Sequence, residues 1–211
     1  VGTALTLRTS LKINEAPSRV DGVKCYAVTG TPADSVVLGL EHVLVGGADV
    51  VVSGINPGFN TSRNVFISGT MGAAVQAAAK GVKACAFSMD AAGNFDDPIV
   101  KDVIGAITTE LFSSETERGA LFNVNIPTFD ETPIEGTEGA TPAPSEFKSH
   151  IEAHSDGGFE IISGLAVYID ELEMVSGTDV EVLSRNRGAE SGRDNRRPHK
   201  RINTSMHEKT T

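Results

Sequence analysis

ADVVVSGINPGFNTSRNVFISGTMGAAVQAAAK, residues 48–80, decides the fold. It opens on Val50, Val51 and Val52, a short β-branched run flanked by turn formers, as in a strand buried on both faces of a parallel sheet. The next residues, SGINPGFN at 53–60, hold two glycines, a proline and two asparagines, so neither helix nor strand continues and the chain turns at the strand's carboxyl end. From Gly69 the residues are small and helix-favouring, and they stop at Gly81, a suitable residue just past a helix end. Strand, polar glycine loop and helix make half of a βαβ unit.

That geometry points to chemistry. In open α/β sheets ligands bind beyond the carboxyl ends of the strands. Ser68, Gly69 and Thr70 stand at the helix start, with hydroxyls and free N–H groups at the positive end of the helix dipole, a place suited to phosphate. Asn56 and Asn60 add neutral amide oxygens able to ligate a hard cation or orient a substrate oxygen. A helix cap at Ser68 and two turn-forming asparagines would explain the same residues without a ligand. The residues alone leave both readings open.

Outward from this unit the alternation repeats. Residues 24–28 read as a strand. Thr31 then serves as N-cap, with Pro32 in the first position and the Asp34 carboxylate in the first turn of a helix. Residues 82–88 read as a further core strand. Asp96, Asp97 and Pro98 open a helix running to Leu111, and residues 121–126 form another core strand. Residues 4–11 alternate Leu5 and Leu7 with Thr6 and Arg8, as a half-buried strand would. The pattern predicts an α/β fold, a Rossmann-like three-layer α/β/α sandwich with a mainly parallel sheet. No G-x-G-x-x-G follows a strand, which disfavours a dinucleotide oxidoreductase.

The composition shifts after Pro127. Residues 128–146 read as a long connection, and SDGG at 155–158 separates two strand-like runs as a hairpin turn does. His150 and His154 fall on this hairpin, more simply as surface residues than as metal ligands. The expected organisation is one domain over 1–184, of which 128–184 is a β-hairpin extension, followed by a basic, disordered tail over 185–211. From Arg185 onward there are eight basic and three acidic residues.

The chain of 211 residues is long enough for one sizeable core, built from Val, Leu, Ile and Ala because only 5% of residues are aromatic and none is tryptophan. A net charge of −10 argues against a nucleic-acid partner. No run is long and apolar enough to suggest a membrane partner. Cys25 and Cys85 both lie in apolar runs, as buried free thiols do, which points to the cytoplasm.

SGINPGFN at 53–60 followed by ISGTMGAA at 67–74 resembles the survival protein E (SurE) family of metal-dependent nucleotidases and phosphatases. VTGTPADSV at 28–36, LFNVNIP at 121–127 and GTDV at 177–180 match further family segments in order, so the resemblance runs over about residues 2–182. It implies a 5'-nucleotidase or acid phosphatase that hydrolyses nucleoside monophosphates. The divalent metal, Mg²⁺ or Mn²⁺, would be held in part by Asn56. Ser68, Gly69 and Thr70 would hold the phosphate, and Asn60 would orient Asn56 or bond the substrate. The hairpins would serve a homodimer or homotetramer. The family's opening Asn-Asp-Asp-Gly motif is absent from this sequence. The resemblance therefore implies that metal-binding aspartates, a further serine and the catalytic residues precede Val1. The alternative is a non-catalytic, phosphate-binding subunit of an oligomer.

Overall fold

Along residues 83–89, Ala84 and Ala86 alternate with Cys85, Phe87 and Met89, giving one strand two apolar faces. The structure, a computed structural model, describes residues 2–127, 134–144, 150–162, 175–186 and 200–207. Its core is the layer arrangement those two faces demand. Chain order gives β1 (Ile13–Ala16), β2 (Cys25–Val28), α1 (Pro32–Leu38), β3 (Val50–Pro57), α2 (Asn64–Ile67), α3 (Gly69–Ala79), β4 (Lys83–Met89), α4 (Pro98–Ser113) and β5 (Leu121–Ile126). There follow β6 (Ile134–Gly139), β7 (His150–Ala153), β8 (Phe159–Ile162), α5 (Asp179–Asn186) and β9 (Lys200–His207).

The five-stranded sheet has the order β3-β4-β5-β9-β6. Strands β3, β4 and β5 run parallel, β9 is antiparallel to β5, and β6 is parallel to β9. Helix α3 covers one face, its Met71, Ala74 and Ala77 packed on Ala84, Ala86 and Leu121. Its small side chains let helix and sheet approach closely. Helix α4 covers the other face, where Val100 and Leu111 meet Cys85, Phe87, Val124 and Ile126. Each of these fully buried larger side chains contributes about 1.5–3 kcal/mol of burial. The expected three-layer α/β/α sandwich is the observed one, and both helices begin as the sequence implied. Ser68 caps α3 and Asp97 caps α4. At α1, Thr31 and Asp34 form a reciprocal capping box.

Four expectations need correction. Residues 4–11 are not a strand. Leu5 and Leu7 are 41% and 76% exposed, and the segment is held by polar contacts instead, with the Thr6 amide and hydroxyl both donating to Asp34. Residues 24–28 contribute β2 as expected, but it pairs antiparallel with β1 in a separate ribbon. Strand β3 is the outer strand of the sheet among the described residues, and Val52 is 44% exposed. An apolar run does not distinguish a central strand from an outer one. Finally, the region read as a disordered tail contains β9 at 200–207, and the region read as a bare connection contains β6. Ile202, Thr204 and Met206 alternate with Arg201, Asn203 and Ser205, a period-two signal hidden by the charged residues before it. The hairpin is observed as β7 and β8, antiparallel around residues 154–158. The rest of the basic segment, 187–199 and 208–211, lies outside the described residues.

Candidate active site

The site is set by a break in β3. Pairing with β4 is regular from Val50 to Ser53, shifts register, and resumes with Asn56 opposite Ser88 and Pro57 opposite Met89. Gly54 makes this possible. Its φ of +120° is unfavourable for side chains, and a Cβ there would collide with the Phe87 carbonyl oxygen. The Gly58 amide then donates to the Met89 carbonyl at 2.7 Å, turning the chain over the end of β4.

This turn brings Asn56 to the start of α3. The Thr70 hydroxyl donates to Asn56 Oδ1 across a long 3.4 Å, while Asn56 Nδ2 donates to the Gly58 carbonyl at 2.7 Å. Ser68 Oγ accepts from the Met71 amide at 3.2 Å, and the Ser68 carbonyl takes the Thr3 hydroxyl at 2.6 Å. Asn56, Ser68 and Thr70 are half-buried and Gly69 is buried. Of the residues singled out in the sequence, Asn56 and Thr70 therefore meet, with Ser68 and Gly69 on the same helical turn.

Asn60 is elsewhere. It is 3% exposed, and its Nδ2 donates to Ser88 Oγ at 2.6 Å rather than reaching Asn56. Its backbone is gripped by two asparagines of β5. Asn125 Oδ1 accepts from its amide at 2.8 Å, and the side-chain amides of Asn123 and Asn125 donate to its carbonyl at 2.7 and 3.1 Å. Sequence reasoning missed Ser88, Asn123 and Asn125. The available signal was N-V-N inside an apolar strand, which puts two amides on one face. Asp179, 1% exposed, was also missed. Its carboxylate accepts from the amides of Ser62, Ala143 and Val180 at 2.7, 2.9 and 2.8 Å. Burial raises its pKa, and those amide donors offset the shift only in part.

The residues present do not fit a divalent metal unaided. Asn56 offers one neutral oxygen, whereas hard cations take several oxygen ligands and favour carboxylates. Among the described residues no three of His, Cys, Asp or Glu stand together to hold a metal. Asp34, a buried carboxylate, is committed to its helix cap. Burial raises its pKa, but hydrogen bonds from Thr6 and Thr31 outweigh that and lower it to about 2. Burial pushes the Cys85 thiol up to about 12, which makes it unreactive.

Two hollows frame the sheet. One of about 370 Å³, lined by Ile55, Pro57 and Phe95, lies at the carboxyl end of β3 on the side of the sheet covered by α4. The other, about 340 Å³, lies at the opposite, amino end of β3 and β4. Its mixed Glu41, Asp49, Lys80 and Arg118 lining selects neither an anion nor a cation. Position at the carboxyl edge favours the first. No helix among the described residues is long and apolar enough to cross a membrane.

Comparison with known proteins places the chain in a family. A family model described as Survival protein SurE matches residues 1–149. A 5'-nucleotidase SurE of Dehalococcoides mccartyi is 34% identical over 160 residues, 74% of this chain and 58% of that protein. The 5'-nucleotidase SurE of Cytophaga hutchinsonii is 36% identical over 158 residues, again 74% of this chain and 61% of its own. That of a Thermoanaerobacter species is 31% identical over 180 residues, 85% and 71% respectively. The matches to the first two thus span about three fifths of those relatives' length. A crystal structure of a SurE protein from Aquifex aeolicus superimposes with a TM-score of 0.70 at 24% identity, covering 98% of this chain and 77% of that one. That likeness bears on the fold.

Proposed function

The chain belongs to the Survival protein SurE family, and from that premise we propose that the protein carrying it hydrolyses nucleoside monophosphates to nucleoside and phosphate. The observation that carries this reading is the meeting of Asn56 with Thr70 at the carboxyl edge of a parallel sheet, on the first turn of a Ser68-capped helix. A phosphoryl group placed there meets the amides of the first helical turn and the Ser68 and Thr70 hydroxyls, with the helix dipole favouring its charge. Donors fixed before the reaction stabilise charge that grows on the phosphoryl oxygens.

These residues bind and orient. The attack on phosphorus is assigned to none of them, and no step runs through a metal, because the described residues do not fit one unaided. Metal dependence on Mg²⁺ or Mn²⁺ is part of the reading as an outcome to be measured. The hairpin exposes Ile151 and Phe159 at 60% and 75%, which supports a homo-oligomer, a dimer or tetramer. The free thiols of Cys25 and Cys85 support a cytoplasmic setting.

The test is phosphate release from AMP by the natural protein that carries this chain. Hydrolysis abolished by EDTA and restored by Mg²⁺ or Mn²⁺ is expected. Thr70→Ala and Asn56→Ala should each lower kcat/KM at least about tenfold, the cost of one donor to developing charge. No release, or full rates in both variants, refutes the assignment.

A further inference from the structure

The loop joining Asn56 to α3 is held by buried polar groups from three distant parts of the chain. Asn60, Thr61 and Ser62 are 3%, 1% and 1% exposed. Ser62 has φ +53°, a left-handed conformation that only Arg8 shares among the described non-glycine residues. A serine stays there only when its surroundings over-determine it. They do so here: the Ser62 amide donates to Asp179 Oδ2 at 2.7 Å, and its hydroxyl donates to the Ala143 carbonyl at 2.8 Å. Asp179 Oδ1 takes the Ala143 amide at 2.9 Å, so one carboxylate ties together Ser62, the 141–143 segment and the first turn of α5. Among the described residues no cation pairs with this buried carboxylate, and backbone amides alone satisfy it.

We infer that Asp179 is a positioning residue, holding Ser62 in its left-handed turn and so setting where Ser68, Gly69 and Thr70 stand relative to Asn56. The consequence for phosphate binding rests on the proposed function; the clamp itself does not. Upstream of Ser62 the loop is fixed by Asn123 and Asn125 through Asn60. Downstream, α2 is a single turn leading directly to Ser68. Ser62 is thus the joint between the anchored half of the loop and the phosphate cradle. In Asp179→Asn the shape is kept, but an NH₂ replaces one acceptor oxygen and faces either the Ser62 or the Ala143 amide, donor against donor.

Amide hydrogen exchange on the full chain, with inorganic phosphate as probe, tests this. In the wild type the Ser62 amide should exchange at least a hundredfold more slowly than that of Ala92, which is also given to a carboxylate but in an exposed bond. Saturating phosphate should slow it at least threefold further, because a clamp that favours binding is favoured by it. D179N should speed exchange over residues 58–67 at least tenfold, leave α4 unchanged, and weaken phosphate affinity about tenfold. Adding Ser62→Gly, for which the left-handed turn is unstrained, should recover part of that affinity. Fast exchange at Ser62 in the wild type, or uniform acceleration across the D179N chain, overturns the inference. So does phosphate that binds equally in both proteins without changing Ser62. If wild-type protein binds no phosphate, the proposed function fails, while exchange over 58–67 in D179N still decides the clamp. Should D179N not fold, the phosphate effect on wild-type Ser62 decides it.

Discussion

Replacing Gly54 by alanine isolates the contact that sets the site. Gly54 and Gly58 have nearly the same φ, +120° and +118°, so an alanine at either meets a comparable backbone penalty. That penalty is about 1–3 kcal/mol. At Gly58 nothing lies within 4 Å of the added Cβ, whereas at Gly54 it overlaps the Phe87 carbonyl oxygen. Phe87 belongs to β4, is 1% exposed and is paired with Val124 of β5, so it has little room to give. Overpacking at such a place adds about 1–3 kcal/mol. For a chain of this length each kcal/mol lowers Tm by about 2–4 °C, so Gly54→Ala should melt about 2–12 °C below Gly58→Ala. Far-UV circular dichroism on both variants and the wild type measures it. Because the register shift lies between Ser53 and Asn56, Gly54→Ala should also part Asn56 from Thr70 and weaken phosphate binding. Equal melting of the two variants, or a lower Tm for Gly58→Ala, would refute the claim that Phe87 and Gly54 are in essential close approach.

Three other outcomes follow from single contacts. The Asp34 carboxyl, lowered from 3.8 to about 2, contributes stability that is complete above pH 4 and lost as pH falls toward 2. Asp34→Asn should therefore cost about 1 kcal/mol near pH 6 and flatten the acid loss between pH 4 and 2, read by urea unfolding; an unchanged acid slope refutes it. Thr61 Oγ1 is buried with no hydrogen-bond partner among the described residues, so Thr61→Val should hold or raise Tm, and a fall of more than several degrees would show that the hydroxyl has a partner. Ile151→Asp with Phe159→Asp should shift sedimentation toward smaller species, and an unaltered oligomer would remove the hairpin from the interface.

What was legible in the sequence was what apolar periodicity and helix caps encode. Ala84 to Met89 alternate over two covered faces, and Thr31, Ser68 and Asp97 mark three helix starts, so the layers of the sandwich are readable from local pattern. The outer position of β3 was not readable, since Val50 to Val52 look alike in a central or an outer strand. Strand β9 was lost because six arginines between 185 and 201 dominate the composition, although the alternation of Ile202, Thr204 and Met206 was present. Strand pairing is a long-range property. A short period-two segment becomes a strand only when a distant edge, here β5, accepts it.

The candidate site divides along the same line. Asn56, Ser68 and Thr70 were legible because each is close in sequence to the turn that aims it. The groups that hold that turn were not, for a reason rooted in the sheet itself. On the face covered by α3, apolar packing ends at Ala86 with Asn123 opposite it, and the next pair toward the carboxyl edge is Ser88 and Asn125; all three polar residues are 0–1% exposed. Beyond that point hydrogen bonds take over from hydrophobic contact as the force that fixes the chain. Apolar contact is broad in direction and tolerates drift, while a carbonyl held by two amides, or an amide held by a carboxylate, fixes position to a fraction of an ångström. A phosphate cradle needs that finer control, because its donors act only when aligned with the oxygens before charge develops. The partners that provide it come from β5 and α5, 63 and 117 residues away from the loop positions they hold. No local pattern records such distances, so the loop's residues announce the turn while its precision is written elsewhere in the chain.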